Sequence, residues 1–446
     1  MKRYDKTVSI VIALASMVLL WLTVPVAMSA ETAPPADYME RLAAGEKPGW
    51  VPPSIEELTQ GKVKVGDLVT KDNVDLVKEY LTVSVYETVK KGMVLRMAQN
   101  LPAEELAPRF FWEATVKNKG NAVMDQEGTV RLADGSNWSG GLPFPNPKAP
   151  LEAMANVKFG RGCDDNYIPT SPCLYVGKNG NIEKTADMNI WQVWAFGRMK
   201  VEPLGVVPGH EDFQWRHIAV FSAPLEMKGM GQLTIRHYDE FKKPDEGFMY
   251  IPAFKRTIRV SATTYQDNVG GMDFTYSDPQ GLREPYAHWD FKSITRKLML
   301  VPETKPAFRW TTEGGKIDPR VEFDNGHSFA RAGWIIMPVL VIDATPKIKH
   351  IYGRKVFYMP EPPYWYSQSP IGLVDIYDRQ SKLWKCYVDF RDTVVQDGVQ
   401  YGGMDFGIMM YDLQTGHSSM NPWTSLPNQR VPLEELSLTK LLKVGR

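Results

Sequence analysis

Cysteine is scarce in this chain, with three in 446 residues, and none stands in a CxxC pair. A thiolate metal cluster is therefore not expected. Charge of one sign is also missing, since 52 basic side chains offset 52 acidic ones. That balance removes the usual electrostatic reason to expect nucleic acid or an anionic membrane surface as a partner. No long apolar run follows the first thirty residues, so the remainder reads as soluble. No HExxH, no GxSxG elbow and no phosphate-cradling GxxxxGK[ST] is present. Strand and helix patterns do not alternate as βαβ units, which disfavours a parallel nucleotide-binding sheet. No repeat of fixed period is found.

What is there begins with Lys2, Arg3 and Lys6, followed by an uncharged apolar run from Val8 to Leu22 and small residues around Ala27, Ser29 and Ala30. A basic, then apolar, then small-residue order marks a secretory signal peptide over residues 1–30. An uncleaved anchor is the rival reading, because the run including Thr23 to Ala27 approaches the ~20 residues that span a bilayer. No cysteine stands at the cleavage region to carry a lipid. The expected location is the periplasm, with outer-membrane association as a further expectation.

Residues 31–105 read as an N-terminal arm and helical segment. A Pro-rich stretch holds a short helix at Tyr38 to Ala44, Ser54 and Glu57 form a capping box, and Thr70 to Met93 has helical spacing of Val74, Val77, Leu81 and Val85. From residue 106 to 446 the period changes to two. Strands are expected at Phe111–Lys117, Met188–Met199, Phe213–Ser222, Gln232–Asp239, Phe248–Ala262, Lys297–Pro302, Trp334–Asp343, Lys355–Met359, Ile371–Asp378, Leu383–Phe390 and Asp405–Asp412. Turn residues between them argue an antiparallel meander. Asn137–Pro150 and Met359–Pro370 are Pro and aromatic clusters unsuited to central strands. Cys163 and Cys173 bracket a Pro-containing polar stretch read as a loop closed by a disulfide, worth roughly 3 kcal/mol. Cys386 reads as a buried thiol.

Catalytic constellations are weak. His210, Glu211, Asp212 and His217 could suggest a metal, but odd spacing puts the two histidines on opposite strand faces. Gly326-His327-Ser328 sets a hydroxyl beside an imidazole, again on opposite faces. The acidic pairs Asp164–Asp165, Asp239–Glu240 and Asp245–Glu246 fall in probable turns, where carboxylates are expected without a catalytic role. No enzyme activity, catalytic residue, cofactor or metal is expected.

Aromatic and methionine content in strands is the unusual feature, with 13 Trp, 19 Tyr, 18 Phe and 21 Met. Along Met188–Met199 both faces are apolar, so both need cover. Two readings stand: an ordinary covered core, or a hydrophobic cavity under a lid. For the cavity, Trp191, Trp194, Phe196, Phe213, Trp215 and Phe221 are the candidate lining, with Arg256 and Arg259 as candidate head-group partners. Ion pairing at the surface is the alternative role of the two arginines.

Several segments occur in a distinctive order: GDLVTKDNVDLVKEYL, VYETVKKGM, GGLPFPNP, GFMYIPAFKRTIRVSAT, GGMDFTYSDPQGL, WDFKSITRKLMLVP, VIDATPKIKHIYGRKVFYM and VDIYDRQSKLWK. In that order the chain resembles the proteobacterial family of domain of unknown function 1329, outer-membrane-lipoprotein-sorting-like proteins related to the LolA/LolB lipoprotein carriers. The resemblance implies a mainly β fold, an open half-barrel of curved antiparallel sheet with helices on its concave face. It also implies a periplasmic carrier of a hydrophobic, lipid-like molecule or lipoprotein acyl chain, working with an inner-membrane exporter of the resistance-nodulation-division type and outer-membrane proteins. A carboxylate-dependent enzyme acting on glycans and a non-catalytic envelope interaction module are the alternatives. The family brings no catalytic residues, and since the chain is considerably longer than LolA or LolB, the resemblance leaves added loops such as Asn137 to Pro172 unaccounted for.

Overall fold

The computed structural model describes residues 34–260, 265–303, 323–326, 328–365, 371–423 and 425–445. The signal-peptide reading of residues 1–30 lies outside them, as does His327 of the Gly-His-Ser triplet. Among the described residues, no helix is long and apolar enough to cross a membrane.

Helices α1 (Tyr38–Ala44) and α2 (Ile55–Leu58) precede β1 (Leu68–Val69), and a 3-10 segment over Val74–Tyr80 leads to α3 (Val83–Lys90) and β2 (Leu95–Met97). Then come α4 (Arg109–Lys117), the hairpin of β3 (Ala122–Met124) and β4 (Val130–Leu132), and α5 (Pro150–Phe159). A first meander follows: β5 (Asp165–Val176), β6 (Ile182–Trp194), β7 (Phe213–Ala223), β8 (Gly231–His237), β9 (Glu246–Ile251) and β10 (Arg256–Val260). After β11 (Trp289–Pro302), β12 (Phe323–Asp324) and β13 (Phe329–Ala330) comes a second one. It comprises β14 (Gly333–Pro346), β15 (Arg354–Pro360), β16 (Leu373–Tyr377), β17 (Leu383–Gln396), β18 (Val399–Asp412) and β19 (Ser418–Pro422), before β20 (Leu426–Pro427) and α6 (Leu438–Val444).

Among the described residues, sixteen strands join one sheet, ordered β1-β2-β14-β15-β16-β17-β18-β19-β5-β6-β7-β8-β9-β10, with β11 on β14 and β20 on β5. The protein is mainly β, and the sheet does not close into a barrel. Pairing is antiparallel except where β2 runs parallel to the start of β14. The two meanders meet at one seam, β19 against β5, through the pairs Ser418↔Val176, Ser419↔Tyr175 and Met420↔Leu174. One continuous apolar core runs from Tyr38 to Trp423 and includes the fully buried Leu340, Trp365 and Met409. A separate apolar cluster lies under α6, where Leu441 packs with Ile218, Val220 and Leu233.

Local chemistry explains the helices. Ser54 caps α2 as expected, its Oγ accepting from Glu57 N at 3.2 Å while the Glu57 carboxylate accepts from Ser54 N at 2.6 Å. The helical stretch from Thr70 breaks in two because Leu81 is extended and Thr82 starts a new helix, accepting from Val85 N at 3.1 Å. The buried Asp375 of β16 also accepts from Val83 N and Ser84 N, placing a carboxylate at the positive end of α3.

Three expectations are corrected. Phe248–Ala262 is not one strand: a 3-10 turn over Pro252–Phe254 folds it into the antiparallel hairpin of β9 and β10, and Ala262 lies outside the described residues. Phe111–Lys117 is not a strand but part of α4. Its buried residues Phe111, Trp112 and Thr115 follow a helical repeat, and seven residues were too few to separate that repeat from alternation. Cys163 and Cys173 form no disulfide; both thiols are buried, as is that of Cys386. The stretch between the first two is not a loop but β5 itself. An extended rise of ~3.3 Å per residue separates Cys173 from the start of that strand by roughly 25 Å, far beyond bridging reach. Burial pushes the Cys386 thiol up to about 12, which keeps it protonated.

Alkylation with iodoacetamide under denaturing, non-reducing conditions should therefore modify all three cysteines, and none under native conditions. Mass spectrometry showing a single labelled thiol in the denatured chain would restore the disulfide.

Candidate functional site

Side chains on a strand alternate faces, so one face of the first meander can be read row by row across the ladder. The central row, set by the register Asn166↔Gln192↔His217↔Thr234↔Gly247↔Val260, is polar over its first four positions. To one side Trp215 pairs with Arg236. To the other side Ile168, Ile190 and Ala219 form an apolar row, with Met188 beyond it. These residues floor a cavity of about 190 Å³, closed further by Ile408, Asn421 and Trp423 from across the seam. An apolar protein cavity of ~150 Å³ already accommodates a benzene-sized molecule.

The cover is a hairpin strap, residues 265–283. Its backbone pairs Tyr276 N to Asp267 O and Val269 N to Phe274 O, and its inner side presents Val269, Met272 and Phe274 to the cavity. Gly270 sits at φ +57°, and a Cβ there would come within 3.3 Å of both Phe221 and the Tyr175 hydroxyl, so the close approach requires glycine. The tip is tied by Tyr175 OH donating to Gly270 O at 2.8 Å and by Asp273, which pairs with His417 and accepts from Ser419 Oγ at 2.7 Å. The base is pinned by Asp278. Its carboxylate pairs with Lys355 at 2.8 Å, accepts from Tyr352 OH at 2.8 Å and caps Thr275. Burial favours the neutral acid, but Lys355 and Lys385 outweigh it and hold the Asp278 carboxyl below its ordinary range.

Both feet of the strap stand at a charged end. Tyr265 OH donates to Asp245 at 2.7 Å, and Asp245 forms a two-point pair with Arg236, Nε to Oδ1 at 3.1 Å and Nη2 to Oδ2 at 2.9 Å. Arg236 also donates to the backbone carbonyl of Arg283. Burial works against the Arg236 charge, yet Asp245 and Tyr265 keep it above the ordinary guanidinium range. Two cations stand over the indole of Trp215, Arg236 at 4.7 Å and Arg283 at 5.1 Å from the ring centre. Behind this layer Lys158 pairs with Glu240, and burial, with Arg236 nearby, pushes its ammonium well down. His217 is likewise held well below its ordinary value by burial and by Arg283, so the imidazole facing the cavity is neutral.

The family model for "protein of unknown function (DUF1329)" matches residues 68–435. The chain belongs to the DUF1329 family. Among solved structures it is similar to a Vibrio parahaemolyticus domain named for outer membrane lipoprotein sorting, at 17% identity, TM-score 0.44, covering 66% of this chain and 98% of that one. A DUF1329 family protein from Desulfovibrio piger follows at 14% identity and TM-score 0.40, covering 63% and 92%. LolA superfamily protein NE2245 from Nitrosomonas europaea gives 10% identity and TM-score 0.37, covering 66% and 100%. No curated protein matches the sequence. The strap over the cavity is the GGMDFTYSDPQGL segment that carried part of the family resemblance.

Of the residues expected to line a cavity in this DUF1329 member, Trp215 does so. Phe221 lies one row beyond, buried beneath Gly270 in the main core. Trp194 and Phe196 pack in a separate cluster with Trp138, Phe159 and Tyr238. Trp191 faces the opposite side of the sheet, stacked on Tyr167 at 5.2 Å. Phe213 has the parity of Trp215, but a register shift between them turns it to the α6 side. Arg256 and Arg259 stand exposed on β10, where Arg259 approaches Glu246 at 3.9 Å and Arg256 lies over Phe254. The expectation missed Arg236, Arg283 and the strap. The two arginines carry no local pattern, and the strap's glycines read only as a turn.

The acidic pairs are occupied structurally. Asp164 accepts from the backbone N–H groups of Met199, Lys200 and Val201, and Asp165 from those of Gln429 and Arg430. Asp239 pairs with Lys242, Glu240 with Lys158, and Glu246 with His237. His210 pairs with Glu434 outside the cavity, apart from His217. Among the described residues no cluster of three or more His, Cys, Asp or Glu could hold a metal.

Two outcomes follow from these contacts. Lys355→Met leaves the Asp278 carboxylate buried without its cation and should cost about 3–5 kcal/mol in denaturant unfolding, with faster proteolysis within residues 265–283. His217 titrates near ~6.5 when unfolded and lower when folded, so below that pH the unfolded chain takes up a proton the folded one refuses, and stability falls. The variant His217→Gln should lose less stability than the parent between about pH 7 and pH 5 in parallel urea titrations; an equal loss would remove His217 from the acid response.

Proposed function

We propose that this DUF1329 protein is a carrier that holds a hydrophobic, lipid-like molecule between its β5–β10 sheet face and the strap. The observation that carries the reading is the cavity itself, whose floor supplies Ile168, Ile190 and Met188 and whose roof supplies Val269, Met272 and Phe274. Apolar burial at ~0.8 kcal/mol per CH₂ gives reversible affinity to a short acyl segment. The methionines on floor and roof adapt to tails of differing shape. The strap is a separate covering element tied by side chains, a form suited to opening for loading and release. The basic-apolar-small N terminus supports work in the periplasm, and exchange of the cargo with a resistance-nodulation-division exporter or an outer-membrane acceptor belongs to the same reading.

Native mass spectrometry of the protein purified from the periplasm, with organic extraction, is the test. A co-purifying hydrophobic molecule is expected, together with uptake of a fluorescent fatty acid. Ala219→Trp, which fills the floor between Ile190 and Gln232, should weaken that uptake by about tenfold or more. A clean apo mass together with no uptake by the parent protein would sink the carrier reading.

A further inference from the structure

The cavity is polarised along its length. The strap enters at Tyr265 and leaves at Arg283, and both ends stand beside Arg236 and Asp245, whereas its tip at Gly270 lies over the apolar end near Phe221. From one end to the other a molecule would meet charged groups, then the Gln192–His217–Thr234 row, then Ile190 and Ala219, then Met188.

At that end two basic side chains, Arg161 and Arg283, have no direct ion pair among the described residues, whereas Lys158 and Arg236 do. Four cations, Lys158, Arg161, Arg236 and Arg283, lie close enough to influence one another. They meet three carboxylates: Asp245 is held by Arg236, Glu240 by Lys158 and Arg236, and Glu284 is shared with His288 and His350. Arg161 lies over Trp194 and does not line the cavity. Arg283 does line it, and its guanidinium makes no ion pair or hydrogen bond with the described residues, only the stack on Trp215. Burial and the like charge of Arg236 lower it to about 10, against the pull of Asp245, whose carboxylate is already paired with Arg236. Beside it the His217 imidazole faces the cavity without a hydrogen-bond partner among the described residues, free to donate one N–H. Enclosing a cation without a partner is costly, and an incoming anion removes the cost.

We propose that the cavity binds a single-chain amphiphile with one anionic head, a carboxylate or a phosphate, held by Arg283 and His217 with its tail along Ile190, Met188 and Phe274. The inference rests on the carrier reading and adds the ligand's charge and orientation. Neither Arg256 nor Arg259 takes part, since both stand on the exposed outer strand.

The test is a displacement series on the purified full chain, with a fluorescent apolar dye as reporter and decanoate, decyl phosphate and decanol as competitors. Decanoate and decyl phosphate should displace the dye at concentrations about tenfold below decanol, a difference that shrinks at high salt. Arg283→Met should abolish that preference and Arg283→Lys should keep part of it, with thermal melting confirming that each variant is folded. Inorganic phosphate should not compete. If decanol competes as well as decanoate on the parent protein, the head-group inference falls and the carrier reading stands. If none of the three displaces the dye, both fall. Competition by inorganic phosphate equal to that of decyl phosphate would leave a bare anion site and overturn the amphiphile. The parent series decides the matter even where an Arg283 variant does not fold.

Discussion

The buried pair of Asp278 and Lys355 is the contact on which the cavity depends. Both side chains are essentially without solvent exposure, and the carboxylate is saturated by Tyr352 and Thr275 as well as by the ammonium. It joins the strap, which belongs to the segment between the two meanders, to β15 in the second meander. A buried pair of this kind adds little net stability compared with apolar packing, yet losing one partner is expensive. That asymmetry suits an anchor. It fixes where the strap crosses the sheet and leaves the tip to weaker, partly solvated contacts through Asp273, His417 and Lys385.

With the strap in place, the character of the cavity is a consequence of strand period and register. Residues two apart on β6, β7 and β8 share a face, so Met188-Ile190-Gln192, Trp215-His217-Ala219 and Gln232-Thr234-Arg236 become three parallel columns. Their alignment sorts them into apolar, polar and charged rows. The residues between them, Trp191, Val193, Ile218, Val220 and Leu233, turn to the other side, where α6 and the segment before it cover them. A sheet with two apolar faces thus has two different covers: one packed closed, the other leaving space.

Much of this was legible in the sequence. Alternation located β6, β7, β8 and most strands of the second meander, and the Ser54 capping box and the short helix at Tyr38 stand where the residues put them. β5 was hidden because Pro169 and Pro172 argue against a strand; the ladder slips register around Pro169, between Ile168 and Ser171, while Pro172 stands in register with Asp187. The site was less legible than the fold. Tryptophan content drew attention to Trp191 and Trp194, but whether a given ring faces the cavity depends on bulges and on where a strand ends, neither of which composition records. Arg283 and Arg236 are 47 residues apart, on a loop and a strand, and only the folded strap brings them together.

The seam between β5 and β19 has a bearing on how the molecule is made. Its paired residues are separated by more than half the chain, and Asn421 and Trp423, which complete the cavity wall, lie just past it. The first meander can collapse early on local pairings, but closing so long a loop comes late and carries its entropic cost with it. The cavity is therefore incomplete until Asn421 and Trp423 are in place: before that, the Ile168–Ile190–Ala219 row of its floor lacks the wall that they supply.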